Sequence, residues 1–385
     1  MENNNKRVIY KAIMLILLTA TITFMITSIG MYNHYMKVGT ETQNLDLKLK
    51  IVKEKLKEYY IGDIDTEKMT ETAIKGYVEG LEDEYTEYLT KDEYEELMIS
   101  VTGDYVGIGI YMYQDADGNV VILLPIEGSP AIEEGLQEGD IITKIDGIDC
   151  TGMDLNIVSS MIKGEAGTNV ELEILRGTET INKTIKRKKV ELQDSSSKIL
   201  DGNIGYIELV TFDQGCTDNV KQYIKDFKSK GVKSLILDLR NNTGGIVTEA
   251  ISLSELFIKK DNIIMRSYDK DGKEEVVKSN NKNPLDMEII LLVNEYSASA
   301  TEIVAGAMQD NGVAKLVGVT TYGKGVMQEV IPIFGGALKV TIEEFKTPDN
   351  NKINTLGITP DEIVEDNLET EEDEQLKKAI QLINN

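Results

Sequence analysis

The sequence predicts a multidomain chain of mixed α+β and α/β class: an N-terminal transmembrane helix, a helical segment, a small β-rich domain and an α/β layer. Three features carry this expectation. An uncharged apolar run of twenty residues stands near the start, short β runs between glycine turns fill the middle, and strands alternate with helix-length segments thereafter.

The apolar run, Ala12 to Met31, spans about 30 Å as a helix, the thickness of a bilayer's hydrocarbon core. Lys6, Arg7 and Lys11 precede it and only Lys37 follows before acidic residues begin. The positive-inside rule therefore places the N-terminus in the cytoplasm and the rest outside, a single-pass anchor over residues 1–36. A cleaved signal peptide is the rival reading. Its apolar region is normally about 7–15 residues and ends in a small-x-small site, which Thr27-Ser28-Ile29-Gly30 does not match well.

Residues 37–98 read as helices, because Leu45, Leu49, Val52 and Leu56 recur at helical spacing, as do Met69, Ala73, Tyr77 and Leu81. This segment is a spacer, and its apolar faces leave open a homodimer. From 99 to 190 the texture is β. Strands are expected at Val106 to Tyr111, Val120 to Leu124 after the Asp117-Gly118-Asn119 turn, Ile141 to Ile145 and Val170 to Leu175, with a short helix over Leu155 to Ile162. From 191 to 385, strands at Gly205 to Val210, Ser234 to Leu239 and Glu288 to Val293 alternate with helices at Val220 to Lys230, Ile246 to Phe257 and Ala300 to Gln309. That alternation predicts parallel strands, and an amphipathic helix over Asp373 to Leu382 ends it.

Charge and rare residues narrow the chemistry. With 66 Asp and Glu against 41 Lys and Arg, the net charge of −25 repels phosphate backbones, so nucleic acid is not an expected partner. The single histidine, His34, borders the apolar run, which excludes Ser-His-Asp, Cys-His and HExxH zinc sites from the folded region. Cys150 and Cys216 show no CxxC spacing and form neither a metal knuckle nor a disulfide framework. No metal or cofactor is expected.

Three segments place polar residues at the ends of predicted strands, where α/β sheets collect their sites. Asp238-Leu239-Arg240-Asn241-Asn242-Thr243-Gly244-Gly245 has two glycines that let backbone N–H groups face an anion, or else it is an ordinary turn. Ser299 to Glu302 has capping-box spacing, and a serine at a helix start also lies beside free N–H groups that favour an oxyanion. Lys324 stands between Gly323 and Gly325, with Gln328 four residues on and, in a strand, on the same face; a plain turn lysine is the alternative. Without histidine, a nucleophilic serine needs another base. A lysine serves if burial lowers its pKa from about 10.4 toward neutrality.

These residues resemble the carboxyl-terminal processing (tail-specific) peptidases, PDZ-containing Ser-Lys serine peptidases, from about residue 45 to the C-terminus. SASATE at 297–302, TYGKGVMQ at 321–328, DLRNNTGG at 238–245 and LGITPDEIV at 356–364 carry the resemblance in the expected order. It implies an α/β (crotonase/ClpP-like) peptidase core. It also implies Ser299 rather than Ser297 as nucleophile, Lys324 as general base and Gln328 as its orienting partner. Ala300 N–H would form the oxyanion hole with that of Gly244 or Gly245. The phrase GSPAIEEGLQEGDIITKIDG at 128–147 resembles the family's PDZ domains. Gly107-Ile108-Gly109 then matches a carboxylate-binding loop, and Ile108, Ile110 and the Leu155 to Ile162 helix would line the pocket for a terminal side chain.

The function so implied is extracytoplasmic endopeptidase cleavage of protein or peptide substrates with free C-termini, recognised through the PDZ domain. A catalytically silent PDZ scaffold that binds tails is the alternative from another class, and a crotonase-like acyl-CoA enzyme is a second. The chain departs from the family pattern at Thr243, where proline is usual, at Lys163, where arginine is common, and at Tyr296, where glycine is frequent.

Overall fold

A computed structural model describes Thr27 and residues 41–191, 194–365 and 372–384. Apart from Thr27, the apolar run of the expected anchor lies outside the described residues, and among those described no helix is long and apolar enough to cross a membrane. The chain divides into two compact units, Met1–Ala73 and Ile74–Asn385. The first contains the helix Glu41–Tyr59, whose Leu45, Leu49 and Val52 are exposed.

Two further helices, Thr66–Glu79 and Lys91–Thr102, follow in the stretch read as helical. The last starts at a capping box: Thr90 and Glu93 hold each other's backbone N–H groups. Between them lies a strand that helical periodicity did not predict, Glu87–Leu89, too short to show alternation and formed by pairing with Gly336–Lys346.

The middle domain is an antiparallel sheet of Ile110–Gln114, Val120–Pro125, Ile141–Ile145, Asn169–Arg176 and Glu179–Lys186, with Ile148–Asp149 paired beside Ile141–Ile145. Asn169–Arg176 buries Val170, Leu172 and Ile174 on one face, against Val158 and Ile162 of the helix Leu155–Ile162. The expected single strand from Val106 to Tyr111 is broken. Ile108 is buried in the core, Gly109 has φ 81°, and the preceding Asp104–Gly107 pairs instead with Lys188–Glu191.

The peptidase-like layer is a six-stranded sheet in the order Ser195–Leu200, Ile204–Leu209, Ser234–Asp238, Glu288–Val293, Ala314–Gly318, Glu362–Ile363, parallel except at its first pair. Its central strands are continuously apolar because both faces are covered. Helices Cys216–Ser229, Val247–Glu255 and Ala300–Asp310 pack on one face over Leu235, Leu237 and Leu291. Helix Glu374–Ile383 covers Ile236, Ile290 and Val317 on the other. A second, antiparallel sheet joins Glu87–Leu89, Val326–Ile333, Gly336–Lys346, Ile263–Asp269 and Glu274–Lys278. Sequence reading missed it, and it carries the lysine segment.

Candidate active site

Strand Glu288–Val293 runs into a short turn and then helix Ala300–Asp310, with Ser299 as the N-cap. Its backbone is held at φ 56°, ψ −115°, a sharp elbow that an L-residue adopts only under outside constraint. The constraint is visible: Ala298 N–H and the Thr301 hydroxyl both donate to the Asn242 carbonyl, at 3.1 and 2.9 Å. Ser297 has another task. It is fully buried, donates to the Leu239 carbonyl at 2.8 Å and accepts from Asn294 N–H at 2.9 Å, so its hydroxyl is consumed in joining two loops.

The glycine turn lies against this elbow. Buried Asn242 donates to the Leu209 carbonyl at 2.8 Å and accepts Gly244 N–H at 2.9 Å. Among the described residues, Gly245 N–H and Ala300 N–H have no acceptor. A Cβ on Gly244 would stand 2.9 Å from Ser299 Cβ and 3.0 Å from Ala300 N, so only glycine brings this backbone so close to the serine. The geometry thus separates the two glycines: the Gly244 donor is occupied and the Gly245 donor is open.

The third segment is tied to the first by one side chain. Glu302 is fully buried in the first turn of the helix. Its carboxylate accepts Ser299 N–H and Lys324 N–H, each at 2.9 Å, Gly323 N–H at 2.8 Å and the Thr321 hydroxyl at 2.6 Å. Burial pushes its carboxyl up, while these four donors oppose that shift.

Lys324 is half-buried, and its ammonium lies 4.6 Å from the centre of the Tyr85 ring. Burial, and then the charge of Lys339, hold its pKa below the ordinary lysine value, against the pull of Glu87, Asp83 and Glu302. The strand argument for Gln328 does not survive. Lys324 precedes strand Val326–Ile333, and a bulge between Met327 and Gln328 breaks the alternation. The Gln328 amide N donates to the Thr341 hydroxyl at 3.4 Å; Thr341 N–H donates to the Thr86 hydroxyl, which donates to Asp83.

In the middle domain a cavity of about 200 Å³ is lined by Tyr105, Ile110, Met112, Ser159, Ile162 and Lys163, among others. Ile110 and the helix Leu155–Ile162 stand where the sequence put them. Ile108 does not: its side chain points into the domain core and is fully buried, leaving only its backbone for a ligand.

The PDZ-domain family model matches residues 121–176 and that of peptidase family S41 matches residues 203–364. A CtpA-like serine protease of Staphylococcus haemolyticus is 36% identical over 94% of this chain and 74% of its own length. The chain belongs to peptidase family S41. The carboxy-terminal processing protease CtpA of Bacillus subtilis is 33% identical over 91% of this chain and 76% of that protein. A solved Bacteroides fragilis S41 structure has a similar fold, with TM-score 0.51 at 18% identity over 85% of this chain and 92% of that one.

This S41 chain is a serine peptidase of the carboxy-terminal processing type with a PDZ domain. Three residues around its lysine escaped the sequence reading. Glu302 was legible only as a helix cap, although the S-x-x-E spacing that suggested the cap is also what aims the carboxylate. Tyr85 and Asp83 come from the segment read as a spacer, with no local signal that they would reach Lys324.

Proposed function

We propose that this S41 peptidase is a membrane-anchored, extracytoplasmic endopeptidase that trims protein substrates near free C-termini. The observation that supports it most is the Glu302 carboxylate, which bonds both Ser299 N–H and Lys324 N–H and so binds the serine elbow to the lysine turn. In this reading the neutral Lys324 amine takes the Oγ proton as Ser299 attacks the scissile carbonyl carbon. The open N–H groups of Gly245 and Ala300 receive the developing oxyanion. Lys324 then returns the proton to the leaving amine as the C–N bond breaks; a water deprotonated by the Lys324 amine attacks the ester carbon, the C–Oγ bond breaks, and Lys324 gives that proton back to Ser299 Oγ. Gln328, its amide N engaged by Thr341, keeps its carbonyl oxygen to orient the lysine. The Gly107-Ile108-Gly109 loop binds the tail's carboxylate through backbone N–H groups, and the neighbouring cavity takes its last side chain. The basic residues before Ala12 to Met31 support an N-in, C-out orientation.

The experiment is a fluorophosphonate label followed by peptide mapping, together with digestion of casein. Label on the peptide containing Ser299, lost in Ser299→Ala along with casein turnover, is the expected result. Label-free protein that still binds free-acid tails would point to the scaffold reading.

A further inference from the structure

Among the described residues, Lys324 Nζ has neither a hydrogen-bond partner nor an ion pair; it lies over the Tyr85 ring, 4.6 Å from the centroid. The carboxylates around it are engaged elsewhere. Glu302, on helix Ala300–Asp310, accepts four other donors. Glu87 pairs with Lys339 at 2.8 Å, and Asp83 accepts the Thr86 hydroxyl and, at 3.4 Å, the Tyr85 N–H. Tyr85 itself is fixed by its neighbours. Buried Thr86 accepts Thr341 N–H at 3.0 Å, and Glu87–Leu89 pairs with Lys339, Leu338 and Ala337 of strand Gly336–Lys346. That same strand pairs with Val326–Ile333, which begins two residues after Lys324. One strand thus carries both the ring and the lysine.

We propose that Tyr85 is a positioning residue for the general base: its ring holds the ammonium that Lys324 becomes on taking the Ser299 proton, where no carboxylate is in contact to do so. The proposal rests on the reading, given under Proposed function, that Lys324 is that base. The negative face of an aromatic ring attracts a cation, and does so more strongly when the pair is withdrawn from water; a neutral amine gains little from it. A carboxylate in contact would keep the lysine charged and unable to accept a proton. The ring, a weaker partner, leaves the amine available and still supports the charge as it forms. Burial and Lys339 oppose the ammonium, whereas Glu87, Asp83 and Glu302 favour it from a distance. The ring adds to the second group.

The test uses the full-length chain in detergent and follows the rate of fluorophosphonate labelling at Ser299 against pH, which reads the nucleophile and its base without the PDZ domain's peptide site. Tyr85→Phe keeps the ring, Tyr85→Leu removes it, and Tyr85→Met repeats the removal should the leucine variant not fold. Loss of the ring withdraws a stabiliser of the ammonium alone. The acid limb of the profile is therefore expected to move to lower pH by about 0.4–1 unit in Tyr85→Leu. The plateau above it should fall about 2- to 10-fold, because the ammonium forming in the transition state loses its partner. Tyr85→Phe should keep the limb in place and the plateau within about twofold. An acid limb unmoved or raised in the ring-less variants, or the same change in Tyr85→Phe as in Tyr85→Leu, would overturn the role of the ring and leave Lys324 as base. Lys324→Arg that labels as fast as the unaltered chain would overturn the base reading itself, and the proposal with it.

Discussion

At Ser299 the backbone takes φ 56°, ψ −115°, a conformation that costs an L-residue on the order of 1–3 kcal/mol. The buried bonds of Asn242 and Glu302 to this turn offset that cost. Two serines separated by one alanine consequently have different fates, and substitution should part them. Ser299→Ala is expected to lower kcat at least about a thousandfold with little change in stability. Ser297→Ala is expected to destabilise by about 1–3 kcal/mol, because it leaves the Leu239 carbonyl and Asn294 N–H unpaired in the interior. Steady-state kinetics and urea melts of both variants read the two effects apart. For Lys324 the sign of the pH effect follows from burial, which disfavours the ammonium. The neutral, basic form is populated above the lowered pKa, so kcat should rise with pH through it and fall as pH drops below it. Lys324→Arg should be inactive at every pH, since a guanidinium does not act as a base. A pH-rate profile for the peptidase, with the arginine variant beside it, checks both statements.

Among the elements, the turn between strand Ser234–Asp238 and helix Val247–Glu255 leaves no room for a side chain at Gly245. A Cβ on Gly245 would lie 2.4 Å from the Phe212 carbonyl oxygen, at φ 138°. Gly245→Ala should therefore move the backbone away from Ser299, abolish turnover and lower the melting temperature, as activity assays and calorimetry would show. The connection to the middle domain holds a second sensitive element. Asp213 is buried beside Asp194 and Glu249, and Gly103, the C-cap of helix Lys91–Thr102, leaves room for its carboxyl because a Cβ there would overlap it. Burial, and then Asp194, push the Asp213 carboxyl up to about 7. A carboxyl raised in the folded state contributes stability below its unfolded value of about 3.9, and that contribution is lost as pH rises through the folded value. Asp213→Asn removes the penalty. Its melting temperature should therefore exceed that of the unaltered chain by a margin that grows between acid and neutral pH, and a margin independent of pH would refute the assignment.

For the whole molecule, the testable consequence is orientation. Three basic residues stand before the apolar run and few after it, which supports an outward-facing catalytic part. Protease added to intact spheroplasts is expected to degrade the chain beyond residue 40. Full protection would reverse the orientation, and a mature N-terminus near Tyr32 would mean that the apolar run is removed as a signal. The site itself depends on distant parts of the chain. Tyr85 precedes Lys324 by more than two hundred residues, and Arg240, beside the glycine turn, pairs with Asp238 and with Asp373 at the start of the last helix.

What the sequence determined by itself are the features written in local period and spacing. Helix Leu155–Ile162 and strands Ile141–Ile145 and Glu288–Val293 appear with the bounds that their apolar patterns predict: Glu288–Val293 is buried on both faces, and the other two bury Val158, Ile162, Ile142 and Ile145. The S-A-T-E helix start, the lysine between two glycines and the double-glycine turn were likewise visible, since each needs particular residues at adjacent positions. Only the tertiary structure decided the rest. The antiparallel sheet around Gly336–Lys346 draws its strands from remote segments whose sides face neighbours of different polarity, so no single period marks them. The break at Ile108 goes with burial of its side chain and the positive φ of Gly109, the bulge before Gln328 with its register against Gly336–Lys346, and the occupied Gly244 N–H with the side chain of Asn242. That is a property of the partner segment, Asn242 above all, and no spacing within the motif reveals it.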